Sequence, residues 1–443
     1  MAQRKAANAS RATRRRRWWH LRQRWRMLGL FEINPEHEFY QLTTMIKEGL
    51  HASIQTAMDS TGQDTLTAKQ FKAQETQSHE GFEMQMFAAP VFAKLRHSLD
   101  ITEEEYVTSL CSGGNYLQFI SNSKSKANFF VTNDKRFFLK TQSKREVMFL
   151  LSNLQAYMEH LEKYPHSLLV RFLGVHRIVI PNQMKKYFIV MQSVFYPDER
   201  INIRFDMKGC EVGRWTNPDT GGENVIKVLK DNNFEGQHIE LGQEKSWFAD
   251  QMKADAAFLQ ELNVLDYSLL LAHQPLHQDE LDGKHSLADL VIRTTKSVDL
   301  QDSPTGSDPT STPLLEPSAG QVVLDTTDCR SEQPQGAAEA TGEGIPLQEI
   351  NSLPKETNAD SELQEFAEHH RRLLPNCKNG IHVIDGPDHR YFVGIIDIFT
   401  VYGLKKRLEN MWKNIRFPGR AFSTVSPRKY SRRFCQWIQE RTL

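Results

Sequence analysis

Residues 276–378 cannot build a core of their own, and this constrains the fold more than any other feature. The stretch is rich in Ser, Thr, Pro, Gly and acids, as in Asp302-Ser-Pro-Thr-Gly-Ser-Asp-Pro-Thr-Ser311, and has few aromatics. Such a composition buries too little apolar surface to offset the entropy of ordering it. It therefore reads as a disordered acidic insert. The pieces on either side, 38–275 and 379–443, each lack a self-sufficient core, so the sequence predicts one domain completed across the insert. Residues 1–37 form a separate arm that mixes arginine with tryptophan, Arg14-Arg-Arg-Arg-Trp-Trp-His-Leu-Arg-Gln-Arg-Trp-Arg26. Three readings of the arm stay open: a disordered basic tail, a segment lying on a membrane surface, or a nuclear-import or nucleic-acid arm.

Inside the folding pieces, charges interrupt apolar runs. Asp266 stands in Asn263-Val-Leu-Asp-Tyr-Ser-Leu-Leu-Leu-Ala272, and Asp397 in Tyr391-Phe-Val-Gly-Ile-Ile-Asp-Ile-Phe399. Lys140 closes the apolar strand Phe137-Phe-Leu-Lys140. A buried ionised carboxylate is costly without a metal, a cation or hydrogen-bond donors. Two lone acids and one lone lysine on such strands predict a site for a divalent cation and phosphate.

The net charge is zero, yet the charge is segregated. Every charged residue before Glu32 is basic. After Glu409 the only acid is Glu440, against Lys413, Arg416, Arg420, Arg428, Lys429, Arg432, Arg433 and Arg441. Basic ends favour anionic partners, nucleic acid or an acidic membrane leaflet. The five cysteines are scattered without a CxxC pair, which argues against a disulfide framework or zinc site and fits a reducing compartment. No apolar run approaches the roughly 18–20 residues of a membrane span. A cytoplasmic protein, peripheral at membranes, is expected.

The pattern of elements is mixed. Residues 38–110 read as a helical lead-in, with a capping box at Thr102 and Glu105. Asn128-Phe-Phe-Val-Thr and Arg136-Phe-Phe-Leu-Lys140 read as a hairpin around Asn133-Asp134. A helix follows from Ser143 to His160 with Glu146 in its first turn. Ile203 to Gly209 reads as a strand ending in a turn, and Trp247 to Leu262 as a helix leading into Asp266.

Asn128-Phe-Phe-Val, Phe-Phe-Leu-Lys-Thr141, Asp206-Met-Lys-Gly209, Leu265-Asp-Tyr-Ser-Leu-Leu270 and Ile395-Ile-Asp397 stand in the order and spacing of the phosphatidylinositol phosphate kinases. The chain resembles that family from about residue 38 to its end, the insert excepted. The resemblance implies an α/β, two-lobed fold with antiparallel sheets, distantly protein-kinase-like, using ATP and Mg²⁺. It implies that Lys140 contacts ATP phosphates, oriented by Glu146, with Ser123, Lys124 and Lys126 in the loop over the nucleotide. Asp266 becomes the catalytic aspartate and shares the metal with Asp397, while Lys208 lies near the transferred phosphate. The segment after Asp397 becomes the membrane- and substrate-facing part, with Lys405, Lys406, Arg407, Arg416, Arg420, Arg428, Lys429, Arg432 and Arg433. Partners implied are phosphoinositides, an anionic membrane, and either type I phosphatidylinositol 4-phosphate 5-kinases in a heterodimer or a second copy in a homodimer.

Three departures bear on activity. The loop Ser121-Asn-Ser-Lys-Ser-Lys-Ala-Asn128 contains no glycine, so it cannot offer the close backbone cradle that phosphates need. Cys210 stands where the family carries Ser, and Phe422-Ser-Thr-Val-Ser-Pro427 lacks the usual His-Arg-Pro. Two readings follow: a scaffold with weak or no turnover that supports phosphatidylinositol 4,5-bisphosphate synthesis by type I kinases, or a working kinase for the 5-hydroxyl of phosphatidylinositol 4-phosphate.

Overall fold

The structure is a computed structural model that describes residues 29–59, 66–99, 101–120, 127–196, 198, 200–218, 226–276 and 382–443. The insert, most of the basic arm, and loop residues Ser123, Lys124 and Lys126 lie outside the described residues. The chain divides into two units, and all described residues belong to the one made of Met1–Leu300 and His369–Leu443.

The elements run β1 (Gly29–Glu32), α1 (Tyr40–Asp59), β2 (Gln74–His79), β3 (Phe82–Phe87), α2 (Ala89–Ser98), α3 (Glu103–Val107), β4 (Leu117–Ile120), β5 (Phe129–Val131) and β6 (Phe137–Gln142). They continue with α4 (Lys144–Ser152), α5 (Leu154–Lys163), β7 (Phe172–Ile180), β8 (Met184–Gln192), β9 (Ile203–Met207), β10 (Leu229–Lys230), α6 (Lys245–Glu261) and β11 (Ser268–Pro275). After the insert come β12 (His382–Asp385), β13 (His389–Ile396), α7 (Leu404–Arg416) and α8 (Pro427–Gln439). The strands form an eight-stranded sheet, ordered β1-β4-β5-β6-β8-β7-β3-β2, and a five-stranded one, β10-β9-β11-β13-β12. All ladders are antiparallel except β9 with β10. The mixed α/β architecture with antiparallel sheets is as the sequence predicts.

Two apolar layers hold this together. Leu42, Ile46, Leu50 and Ile54 recur every fourth residue along α1, and that stripe packs on Phe82, Met84, Phe137, Leu139, Phe188 and Val190 of the large sheet. The larger core joins Phe248, Met252, Ala256 and Leu259 of α6 and Tyr430, Phe434 and Ile438 of α8 to Leu269, Leu271 and Ile395 of the small sheet. A bridge ties the segment before β7 into that sheet, with the Val170 amide donating to the Ile395 carbonyl at 2.9 Å.

The structure corrects the sequence reading in places. The folded part begins before residue 38, because Gly29–Glu32 pairs with Leu117–Ile120 as an edge strand. The stretch read as a helical lead-in contains the β2–β3 hairpin, whose inner strand alternates buried and exposed residues at Phe82, Glu83 and Met84. Asp266 and Asp397 are not inside strands. Asp266 precedes β11 and Asp397 follows β13, each half-buried. The Thr102 hydroxyl does cap α3, accepting the Glu105 amide at 3.1 Å.

Candidate functional site

Antiparallel pairing brings the candidate residues together. Ser268 pairs with Ile396, so the residue two before β11 and the residue just after β13 emerge at the same end of the small sheet. Met207 pairs with Leu269, which sends Lys208 out at that end too. Asp266 and Asp397 have left-handed backbones, φ +67° and +63°. Few residues other than glycine adopt that conformation, and strain of this kind gathers at functional sites.

Each acid has a lysine. Lys208 Nζ donates to Asp266 Oδ1 at 3.0 Å and also to the Asp266 carbonyl. Lys140 Nζ lies 2.5 Å from Asp397 Oδ1, joining the large sheet to the small one. Lys140 itself is 8 % exposed, and its ammonium sits 5.3 Å from the Phe129 ring centre. A third cation, Lys406 of α7, stands 3.8 Å from Asp266 Oδ2.

Burial raises the Asp266 pKa, but Lys208, a hydrogen bond from Ser423 and Lys406 outweigh it, and the carboxyl ends below its ordinary value. Burial lowers that of Lys208, yet Asp266, Asp206 and Asp397 together hold it above normal. Asp206 is likewise held below its usual range, with burial opposed by Arg214 and Lys208. Lys208 and the two acids thus hold one another in their charged forms.

Between the two sheets, Lys140 and Asp397 face a cleft whose walls include Phe129, Val131, Phe138, Met191, Leu270 and Phe399. An apolar slot edged by charged groups suits a flat aromatic ring carrying phosphates.

Glu146 is not brought to Lys140. Its Oε2 accepts from the Ser143 amide at 2.9 Å and the Ser143 hydroxyl at 2.7 Å, closing a capping box on α4. The basic residues of the last segment also divide. Arg428, Lys429 and Arg432 are exposed on α8, and Lys405, Arg407 and Arg416 on α7. Lys406 turns inward to Asp266 and Glu409, and Arg433 Nη2 donates to Cys210 Sγ at 3.0 Å. Arg420 lies 3.6 Å from Glu211.

The sequence reading passed over the outer side of α7. Leu404, Leu408, Met411, Trp412 and Ile415 recur at helical spacing and are 75, 57, 63, 58 and 82 % exposed. The opposite face is polar and docked, with Asn410 Nδ2 donating to the Thr424 carbonyl at 2.6 Å and Lys413 Nζ to its hydroxyl at 2.8 Å. The i, i+4, i+7, i+8, i+11 spacing was a visible signal. It also missed Asp206, Arg214, Asp231 and Ser423.

Comparison with known proteins agrees with the geometry. Residues 110–441 match the family model described as phosphatidylinositol-4-phosphate 5-kinase. The chain belongs to the phosphatidylinositol phosphate kinase family. It is 46 % identical over 431 residues to phosphatidylinositol 4-phosphate 5-kinase-like protein 1 of Homo sapiens, covering 97 % of this chain and 94 % of that one. Identity to the Mus musculus protein of the same name is 42 % over 434 residues, covering 98 % and 94 %. A probable phosphatidylinositol phosphate kinase of Dictyostelium discoideum is 31 % identical over 367 residues, covering 81 % of this chain and 47 % of the relative. Among the described residues, no helix is long and apolar enough to cross a membrane.

Proposed function

We propose that this lipid-kinase-family protein docks on anionic membranes with low intrinsic turnover and pairs with type I phosphatidylinositol 4-phosphate 5-kinases, supporting local synthesis of phosphatidylinositol 4,5-bisphosphate. The observation that carries the low turnover is the commitment of Glu146 to its own helix cap, which leaves Lys140 on Asp397. Kinases of related architecture need the strand lysine paired with a helix glutamate to hold ATP in register. The glycine-free stretch 121–128 points the same way. Membrane docking is supported by the apolar outer face of α7 beside Lys405, Arg407 and Arg416, the pattern of a helix that lies in the headgroup boundary.

A second reading, a working kinase transferring the ATP γ-phosphate to the 5-hydroxyl of phosphatidylinositol 4-phosphate, is favoured by the Lys208–Asp266 pair, a cation held beside an ionised acid. In either case the residues suit the same chemistry. Asp266, kept ionised, accepts the hydrogen bond of an attacking hydroxyl, and Lys208 balances charge on the phosphoryl group in transit. Lys140 neutralises nucleotide phosphates. The donor set fits Mg²⁺, which takes one or two carboxylates plus phosphate oxygens, and Asp266 and Asp397 would hold it. When bound, Mg²⁺ supplies further neutralisation of the phosphates.

The experiment is turnover of purified protein on phosphatidylinositol 4-phosphate vesicles with Mg²⁺ and ATP, beside co-purification with a type I kinase. Co-purification with little turnover is expected. Ordinary lipid-kinase rates that vanish in Asp266→Asn would replace the first reading by the second.

A further inference from the structure

Lys208 reaches Asp266 from a turn, and turns do not by themselves hold a long side chain in place. Gly209 within it has φ +61°, and a Cβ there would meet Phe434 Cα and Trp437 Cβ of α8 at 3.2 Å each, so the turn is pressed against that helix. Its other side is gripped by one carboxylate. Asp231, 3 % exposed, accepts the Lys208 amide at 2.8 Å and the Cys210 amide at 3.1 Å, both on Oδ1. Its Oδ2 accepts from Arg214 Nε at 2.5 Å. Arg214 in turn donates from Nη2 to Asp206 Oδ1 at 2.6 Å. Asp206 lies on β9 two residues before Lys208 and lines the cleft.

We infer that Asp231 is a positioning residue for Lys208: it fixes the backbone on both sides of Gly209, so that the ammonium meets Asp266. Arg214 locks Asp231 in turn and ties it to the cleft wall at Asp206. Charge-assisted bonds from two amides and a guanidinium to one carboxylate are among the stronger contacts available to a protein. The sequence carries no motif for this role, because two of the three groups on Asp231 are backbone amides.

The test has an arm that needs no turnover, because the kinetic arm rests on the phosphoryl-transfer reading of Lys208 and the first does not. Full-length Asp231→Ala and Asp231→Asn proteins are compared with wild type by the acetic anhydride labelling rate of Lys208, followed by mass spectrometry. Labelling in Asp231→Ala should rise about tenfold, the factor by which losing one hydrogen bond to a charged group shifts a side chain from held to free. Asp231→Asn keeps an acceptor for the two amides and should fall between, and it carries the test should the alanine variant not fold. In any turnover the protein shows, Asp231→Ala combined with Lys208→Met should be no slower than Lys208→Met alone, with the KM for ATP unchanged. Unchanged Lys208 labelling in the folded variants would overturn the assignment. So would additive kinetic losses, which mark a structural role independent of Lys208. Absent turnover with raised labelling would remove the kinase reading and keep Asp231 in its role.

Discussion

Met411 and Ile415, on the outer face of α7, offer a direct test of membrane docking. They are 63 and 82 % exposed, and none of the residues of α7 is buried, so their replacement by serine costs the fold little. Transfer of a whole aliphatic side chain of this size out of water is worth about 1.5–3 kcal/mol. Scaled by the exposed fractions, the two side chains contribute about 2–4 kcal/mol if both leave water. The double variant Met411→Ser/Ile415→Ser should therefore bind phosphatidylcholine vesicles containing phosphatidylserine about 30- to 1,000-fold more weakly. Co-sedimentation at fixed salt measures this, with thermal denaturation checking that the fold persists. Raising salt should weaken wild type and variant alike, since Lys405, Arg407 and Arg416 remain. Binding within about threefold of wild type would sink the argument, because a stripe of this exposure cannot enter a bilayer without that contribution.

Three other outcomes follow from the interior. Residual phosphoryl transfer should fall about a hundredfold or more in Asp266→Asn, read on phosphatidylinositol 4-phosphate vesicles, since the variant removes the charge facing Lys208. Asp255, fully buried, accepts from the Ser167 hydroxyl and the Leu168 amide at 2.6 Å each and lies 2.7 Å from His160 Nε2. Asp255→Ala strands these groups and should cost about 3 kcal/mol or more, measured by urea unfolding. His176 is buried with neither ring nitrogen hydrogen-bonded, and burial followed by Arg96 pulls its pKa from 6.5 down to about 3. Between those values the unfolded chain binds the proton and the folded one refuses it, so stability is lost as pH falls from 6.5 toward 3. His176→Phe should flatten that slope in melting curves. The carboxyls of Asp206 and Asp266, held below 3.8, add their own loss only as pH falls below that value.

What could be read from the sequence followed from the cost of burying charge. Lys140, Asp266 and Asp397 stood out because an apolar run tolerates an ion only where something answers it, and the structure answers each with an opposite charge. Their convergence was not readable, since it depends on Ser268 facing Ile396 and Met207 facing Leu269 across a sheet completed on the far side of the insert. The β2–β3 hairpin was missed although Phe82, Met84 and Met86 alternate with polar residues, a period of two that separates a strand from a helix. Glu146 shows a harder limit. A first-turn acid suits a lysine on the preceding strand as well as its own cap, and Ser143 at the N-cap with Glu146 three residues later was the sign that the cap would win. The same local bond that makes α4 a good helix removes the acid that would orient Lys140. A change that weakens the cap, Ser143→Ala, leaves Glu146 only the backbone amide of residue 143 and should loosen it, raising ATP affinity while lowering stability by about 1 kcal/mol. An unchanged affinity would mean that Glu146 was never within reach of Lys140, and the low turnover would rest on the loop before β5 alone.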